Sequence, residues 1–184
     1  MNRGLIIFGV IAALLLFSFL GYRSTYNSAV TLQETVAQKW GDVGATYQRR
    51  ADLVPQLVAT VKGAAANEKG ILTAVTDARA GITNATTPAQ LDEQGAKINA
   101  LIKATFEAYP TITSTANFSD LQAQLEGTEN RINVARQDYN AAVMEYNSTI
   151  RGFFASMFLN SATFPHKDPF KEMPGSEKAP EVKF

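Results

Sequence analysis

Residues 5–21 form an apolar run without a charged side chain, at the start of a chain that is otherwise largely polar. At about 1.5 Å of rise per residue, a helix over this run is roughly 26 Å long, and Gly4 and Tyr22 extend it to the thickness of a bilayer's hydrocarbon core. A cleaved signal peptide, the alternative, has a shorter apolar region and small residues at its cleavage site. The run instead ends with the bulky Phe17, Phe19 and Leu20. It therefore predicts an uncleaved transmembrane anchor over residues 1–22.

Several positions within this anchor have expected contacts. Tyr22, at the end of the run, has an amphipathic ring that favours the membrane–water interface. Gly9 and Ala13 are small residues four positions apart, a spacing that permits close approach of two transmembrane helices. The residues assigned to the membrane anchor are Leu5, Gly9, Ala13, Phe17, Gly21 and Tyr22.

Composition argues against several classes of function. Basic and acidic residues are balanced at 17 each, so the chain lacks the basic excess with which nucleic-acid-binding proteins neutralise phosphates. With no cysteine and one histidine, His166, one chain cannot form a thiolate or multi-histidine metal site. No nucleophile motif and no phosphate-binding glycine loop is present. We therefore predict no catalytic residues, no cofactor, no metal and no nucleic-acid partner; a pocket lined by buried polar side chains would argue for an enzyme.

Apolar periodicity predicts long helices in the rest of the chain, because side chains recur at spacings of three and four and no strand pattern occurs. The first seam consists of Tyr26, Val30, Gln33, Ala37, Trp40, Gly44, Tyr47 and Ala51, and a second runs from Val54 to Val75. Thr87 and Pro88 are a suitable N-cap and first-turn residue for a third helix. The longest seam predicts one helix from residue 117 to 158. The expected fold is all-α: an antiparallel up-and-down bundle of long helices over residues 23–164, preceded by the transmembrane helix.

Two segments have alternative interpretations. At Asp52–Pro55 the chain either turns back as a hairpin or continues as one kinked helix; we favour the continuous helix because no glycine or loop-like stretch surrounds Pro55. Residues 165–184 contain four prolines among lysine and glutamate, which predicts an extended or disordered tail. Before this tail lies an aromatic stretch that either covers the end of the bundle or contacts another subunit or lipid: Phe153, Phe154, Phe158 and Phe164.

Charged and polar residues on the predicted helices offer few candidate sites. Arg49, Arg50 and Asp52 form one cluster, and Glu129 and Arg136 belong to another on the last helix. Such clusters form solvated salt bridges, pair helices with one another or dock a partner. The dipeptides Tyr139-Asn140 and Tyr146-Asn147 recur seven residues apart. We expect buried tyrosine rings whose hydroxyls reach the edge of the bundle, beside asparagines that set the register.

The segment Gln48–Gly63 closely resembles a signature of the LemA family. Further residues extend the resemblance: Tyr26-Asn27, Trp40, Glu68, Ala74–Arg79, Leu121-Gln122, Leu125–Asn130, Ile132, Ala135-Arg136, Tyr139-Asn140, Val143, Tyr146-Asn147 and Ile150. The family usually has phenylalanine-proline where this chain has Phe153-Phe154, and phenylalanine-glycine-phenylalanine where it has Ala162–Phe164. These departures put the usual C-terminal turn in doubt and predict a lengthened last helix.

The resemblance implies a bacterial, membrane-anchored helical bundle without an established enzymatic activity. Some relatives are linked to membrane organisation, and others are encoded beside membrane metalloproteases. We therefore expect a scaffold that self-assembles and organises or shapes the membrane, or alternatively an adaptor that regulates a membrane protein such as a metalloprotease. Arg3 and Arg23 flank the anchor and nearly balance the positive-inside bias. We favour a single-pass protein of the bacterial cytoplasmic membrane with its bundle outside the cytoplasm.

Overall fold

The computed structural model describes residues 3–60, 65–108 and 116–171. Within these ranges the chain forms helices and irregular segments and no strand, which confirms the all-α prediction. The helices of the described residues are α1 (Arg3–Thr60), α2 (Ala65–Asn84), α3 (Pro88–Ala108), α4 (Ala116–Ile150) and α5 (Phe153–Phe158). The predicted end of the third helix at Pro110 and most of the predicted tail lie outside the described residues.

Helix α1 continues through Pro55 to Thr60, so the hairpin alternative at this position is wrong. Proline removes one backbone hydrogen bond from a helix interior and crowds the preceding turn. The side chains around it compensate by packing, because Leu53, Val54 and Leu57 are almost completely buried. Val54 therefore belongs to the first helix, and the second helix begins at Ala65.

The contacts of the chain define two compact units. Of the described residues, unit 1 contains 3–40 and 138–167, which include the N-terminal part of α1, the C-terminal part of α4 and all of α5. Unit 2 contains 41–60, 65–108, 116–137 and 168–171, which include the remainder of α1 and α4 together with α2 and α3.

In unit 1, α1 and α4 are antiparallel. Lys39 Nζ donates a hydrogen bond to Asp138 Oδ2 at 3.1 Å, and the rings of Trp40 and Tyr139 have centroids 5.5 Å apart. Towards the start of α1, Tyr26 meets Phe164, which follows α4 in the sequence. Earlier residues of α1 thus contact later residues of the C-terminal half, as the predicted antiparallel topology requires.

The buried stripe of α1 in unit 1 is centred differently from the predicted seam. Ala29 and Val36 are buried, whereas the predicted Tyr26 and Val30 are 38% and 37% exposed. The small Ala29 is completely buried, and the ring of Tyr26 packs edge-to-face against Phe164. The predicted stripe followed the large side chains at the border of the contact. It therefore lies less than one helical turn away from the residues that are buried.

The long C-terminal helix is divided, contrary to the prediction of one helix to residue 158. Helix α4 ends at Ile150, and Gly152 precedes α5 with φ −60° and ψ 156°, which is extended backbone. The Gly152 N–H donates to the Thr149 carbonyl oxygen at 3.1 Å, and the Gly152 carbonyl accepts from Ser156 N–H at 2.9 Å. The φ and ψ of Gly152 are open to any residue, and the periodic spacing continues across it, so the pattern alone does not reveal the break.

A turn follows α5 even though the chain departs from the family pattern there. The backbone N–H groups of Thr163 and Phe164 donate to the Asn160 carbonyl at 3.0 and 2.9 Å. The Asn160 side chain accepts from Ala162 N–H at 2.8 Å, so an asparagine supplies the local hydrogen bond that stabilises the turn. The departures that put the family's usual turn in doubt thus leave this chain with a turn at residues 160–164.

The beginning of the predicted tail is irregular, and unit 1 holds it against α4. The buried Tyr146 donates from its hydroxyl to the Pro165 carbonyl at 3.0 Å. The Asn147 amide donates to the Lys167 carbonyl at 2.8 Å and accepts from Lys167 N–H at 3.0 Å. The expected role of the tyrosine is confirmed, because its ring is buried and its hydroxyl lies at the edge. Asn147 instead binds the backbone of the segment that follows α5.

In unit 2, α2 and α3 form a hairpin beside α1. The predicted cap of α3 is confirmed: Gln90 N–H donates to Thr87 Oγ1 at 3.3 Å, and Gln90 Oε1 accepts from Thr87 N–H at 3.2 Å. Gln48 on α1 donates from its amide to the Arg79 carbonyl at 3.1 Å and to Thr83 Oγ1 at 3.0 Å. These bonds fix α2 along α1 and place α3 beside Tyr47.

Candidate functional site

The apolar run is the N-terminal part of α1, and its side chains are uncovered within the described chain. Residues 3–20 are all exposed, with Leu5 at 70% and Phe17 at 71%. No heavy atom from the rest of the described chain lies within 4 Å of a Cβ placed on Gly9, so the face shared with Ala13 is open. This part of α1 is long and apolar enough to cross a membrane. Its surface requires lipid or another protein to cover it.

Unit 2 contains a cavity of about 490 Å³ between α1, α3 and α4. It is open to solvent, since Glu93 and Asn99 in its lining are exposed. The ionisable side chains that line it are Tyr47, Arg50, Asp92, Glu93, Glu129 and Arg136. A polar cluster of this kind would argue for an enzyme. The hydrogen bonds and ion pairs of each group therefore decide whether it is available to a substrate.

The centre of this cluster is a network formed by Tyr47, Asp92 and Arg136. The Arg136 guanidinium donates from Nη1 to Asp92 Oδ1 at 2.7 Å and from Nη2 to Oδ2 at 3.3 Å. The Tyr47 hydroxyl donates to Asp92 Oδ1 at 2.9 Å and accepts from Arg136 Nη1 at 3.3 Å. Burial, assisted by the Asp92 carboxylate, raises the pKa of Tyr47 above its ordinary value. The tyrosine therefore remains a neutral hydrogen-bond donor.

Arg136 also contacts the C-terminal end of the described chain, at Phe170 and Lys171. Its Nη2 donates to the Lys171 carbonyl at 2.8 Å, and its guanidinium carbon lies 4.8 Å from the centroid of the Phe170 ring. Both Arg136 and Phe170 are buried. A buried guanidinium requires a counter-charge and several acceptors, which Asp92, Tyr47 and the Lys171 carbonyl provide together.

A second ion pair joins α1 to α4 at the other end of the cavity. Arg50 contacts the Glu129 carboxylate and donates from Nη1 to the Leu125 carbonyl at 3.2 Å. Burial lowers the pKa of the Arg50 guanidinium, and the charge of Glu129 acts in the opposite direction. The guanidinium stays charged at neutral pH, because its ordinary pKa is far above that range.

Gly95 lets α3 approach Tyr47 closely. A Cβ at this position would overlap the Tyr47 ring, so a larger residue requires the ring or the helix to move. The tyrosine ring thus packs on the backbone of α3 while its hydroxyl reaches Asp92 one turn earlier. Gly95 sets the distance at which the network can form.

The carboxylates of the cavity are engaged in ion pairs. Asp92 accepts bonds from Arg136 and Tyr47, Glu129 pairs with Arg50, and Glu93 pairs with Lys97 on the same helix at 2.9 Å. A general base needs a carboxylate or imidazole positioned against a substrate proton. The pairs of Asp92 and Glu129 instead join helices around the open cavity, whereas the pair of Glu93 lies within α3.

The proposed docking residues have different environments. Arg49 is exposed, whereas Asp52 pairs with Arg79 of α2, Arg50 with Glu129, and the buried Arg136 with Asp92. For these three pairs, interhelical pairing is the arrangement found. The sequence analysis missed Asp92, Arg79 and Gly95; only Gly95 carried a signal, as a small residue within the stripe of Leu91, Ile98 and Ile102.

The aromatic stretch is divided between an exposed surface and the bundle. Phe153 and Phe154 on α5 are 75% and 57% exposed, and Phe158 is 37% exposed. Phe164 is buried against Tyr26, with ring centroids 5.4 Å apart in an edge-to-face arrangement. Phe164 thus covers the helices of unit 1, while α5 presents two rings outwards.

Comparison with known proteins shows a family match that includes the charged network. The model of the LemA family matches residues 39–184, which include all the charged residues of the cavity. Two similar relatives are the magnetosome proteins MamQ 1 and MamQ 2 of Paramagnetospirillum magneticum, each 28% identical over 181 residues. The match covers 83% of this chain and 66% of each relative, just under two thirds of its length.

We predict that Arg136→Met lowers the free energy of unfolding by about 2 kcal/mol, because it leaves the partly buried Asp92 carboxylate without its counter-charge. Urea unfolding of the full chain in mild detergent, followed by helical circular dichroism, measures the change. Adding Asp92→Asn to this variant is expected to restore part of the loss.

The matched control is Lys97→Met, which removes the exposed pair with Glu93 and is expected to change the free energy of unfolding by about 0.5 kcal/mol or less. An equal loss in the Arg136 and Lys97 variants would contradict a stabilising role for the buried network.

Proposed function

This chain belongs to the LemA family, and we propose on that premise that it is a non-enzymatic, membrane-anchored helical scaffold. In this proposal, copies of the chain assemble with one another and organise or shape a bacterial membrane. The observation that supports it most directly is the continuity of α1, which carries the uncovered apolar run and the packed residues near Pro55 on one helix. Both stretches therefore belong to one helical element.

The charged cavity supports a structural role in this proposal. The ion pairs of Arg136 with Asp92 and of Arg50 with Glu129 each join two helices. Removing one partner of such a pair leaves a partly buried charge at a cost of about 2 kcal/mol, so paired charges disfavour alternative registers of the helices. A scaffold benefits from one fixed arrangement, because assembly of copies requires the same surface on each.

We further propose a single-pass topology in the bacterial cytoplasmic membrane, with the helical domain outside the cytoplasm. The prediction is that alkaline phosphatase fused at the C-terminus is active, whereas green fluorescent protein fused there is dark after export in unfolded form. The opposite pair of signals would place the C-terminus in the cytoplasm. Such a result would leave the scaffold proposal intact, since either side of the membrane accommodates it.

Self-assembly is tested by the subunit number of the full-length protein. We predict that mass photometry and cross-linking after mild detergent extraction give species well above the 20.0 kDa of one chain. A strict monomer at high concentration would contradict the proposal.

Variants in the anchor test whether Gly9 and Ala13 are part of that assembly. Replacing both with leucine removes the small-residue face, so we expect a smaller population of assembled species. Ser18→Leu is the matched control, because residue 18 lies on the opposite side of the helix from Gly9 at about 100° per residue. Equal assembly of both variants would assign the contact between copies to another surface.

The alternative function is an adaptor for another membrane protein such as a metalloprotease. It is favoured by the exposed Arg49 beside an open, charged cavity. We predict that Arg49→Glu together with Arg50→Glu reduces co-purification of membrane proteases, measured by quantitative mass spectrometry.

Comparing the two arginines separates docking from folding. Arg49→Glu alone leaves the Arg50–Glu129 pair intact, so a loss in that variant reports the surface rather than the bundle. Lys103→Glu is the control, because Lys103 is highly exposed on α3 and lies outside the cavity lining. Recovery of the protease at the level of the unchanged protein would count against the adaptor function.

A further inference from the structure

We propose that α5 is a second membrane-contacting element, whose outward face of Phe153, Phe154 and Met157 enters the interfacial region of the bilayer crossed by α1. The inference rests on the membrane anchoring in the proposed function. It does not depend on self-assembly, and it goes beyond the anchor by assigning a lipid surface to a helix that follows the bundle in sequence.

The first observation is the composition of the outward face of α5. Phe153, Phe154 and Met157 are 75%, 57% and 63% exposed, while Ala155 between them is buried. On a helix, positions i, i+1 and i+4 lie on one side, so these three side chains form one apolar surface. Large apolar side chains grouped in this way mark an interaction surface.

The second observation indicates that lipid covers this surface, because α5 adjoins the transmembrane run within unit 1. The Phe158 ring meets the Tyr22 ring edge-to-face, with centroids 5.8 Å apart. Tyr22 directly follows the apolar run of residues 5–21. Its position is that of an interfacial aromatic belt, where tyrosine and other amphipathic rings lie at headgroup level. The apolar surface of α5 is therefore continuous with a surface that the anchor already places in lipid.

The residues around α5 suit the interface rather than the hydrocarbon core. Arg151, directly before the extended Gly152, is exposed, and its guanidinium can pair with lipid phosphates. Ser156 on the same helix donates from its hydroxyl to the Phe153 carbonyl at 2.8 Å, so its polar group is satisfied locally. A six-residue helix cannot span a bilayer, but short amphipathic segments lie in its surface.

The break at Gly152 gives α5 its own direction. If α4 continued, Phe153 and Phe154 would follow the helical track of Tyr146 and Ile150. The extended backbone of Gly152 ends that track, and the turn at Asn160 returns the chain so that Phe164 reaches Tyr26. Tyr26 lies one helical turn after Tyr22, so α5 lies beside the part of α1 that directly follows the apolar run.

A site-specific tryptophan tests the inference directly. The chain has one tryptophan, Trp40, so Trp40→Phe provides a background in which Phe154→Trp is the only indole. The full-length variant is reconstituted at one copy per nanodisc of phosphatidylcholine and phosphatidylglycerol. Fluorescence is then compared with discs whose phospholipids are brominated near the headgroup end, or near the terminal methyl, of the acyl chains.

The expected result is blue-shifted emission from position 154, with loss of most of its intensity in discs brominated near the headgroups and a smaller loss with deep bromines. Met144→Trp is the matched control, because Met144 is 71% exposed on α4 in the same unit. We expect its emission to be unaffected by either brominated lipid and quenched by aqueous acrylamide.

Phe153→Trp in the same background repeats the measurement at the neighbouring position, so one poorly folded variant does not decide the outcome. Emission at positions 153 and 154 that matches position 144 in both quenchers would overturn the inference, because the surface would then face water. Emission that is blue-shifted only when several copies share a disc, without quenching by bromine, would also overturn it and assign the surface to a second copy.

Discussion

Burial of the apolar stripe of α4 is the interaction on which both units depend. Within unit 2 the stripe includes Leu121, Leu125 and Ile132, and within unit 1 it continues with Tyr139 and Tyr146, all nearly inaccessible to water. A helix as long as α4 gains little stability from its own hydrogen bonds and depends on such packing. In each unit α1 is antiparallel to α4, with Trp40 against Tyr139 in unit 1 and Arg50 against Glu129 in unit 2.

The polar groups fix the register between helices, which the apolar stripe alone does not determine. Apolar packing tolerates small shifts of one helix along another, whereas the bonds from Arg136 to Asp92 and Tyr47 are formed in one register only. Gly95 belongs to the same arrangement because it admits the Tyr47 ring against α3. A buried arginine therefore fixes three helices and, through the Lys171 carbonyl, the segment that ends the described chain.

The sequence predicted the elements that depend on local or periodic chemistry. The stripe of α4 and the Thr87 cap of α3 are of this kind, because each depends on residues within two turns of one another. The partners Arg136 and Asp92, separated by 44 positions, carry no local signal, and neither does the pairing of Asp52 with Arg79. The break at Gly152 was missed because aromatic residues continue the helical spacing on both sides of it.

The two apolar surfaces, residues 5–21 and the outward face of α5, also differ in how far the sequence predicts them. A membrane span is recognised by its length and absence of charge, so residues 5–21 predict one from the sequence alone. The face of α5 is different, since three apolar residues become one surface only after Gly152 redirects the chain and Phe158 meets Tyr22. A transmembrane helix alone leaves rotation about its axis and its tilt to be set by neighbouring contacts. A second lipid contact joined to Tyr22 would restrict both, giving every copy in an assembly the same orientation at the membrane.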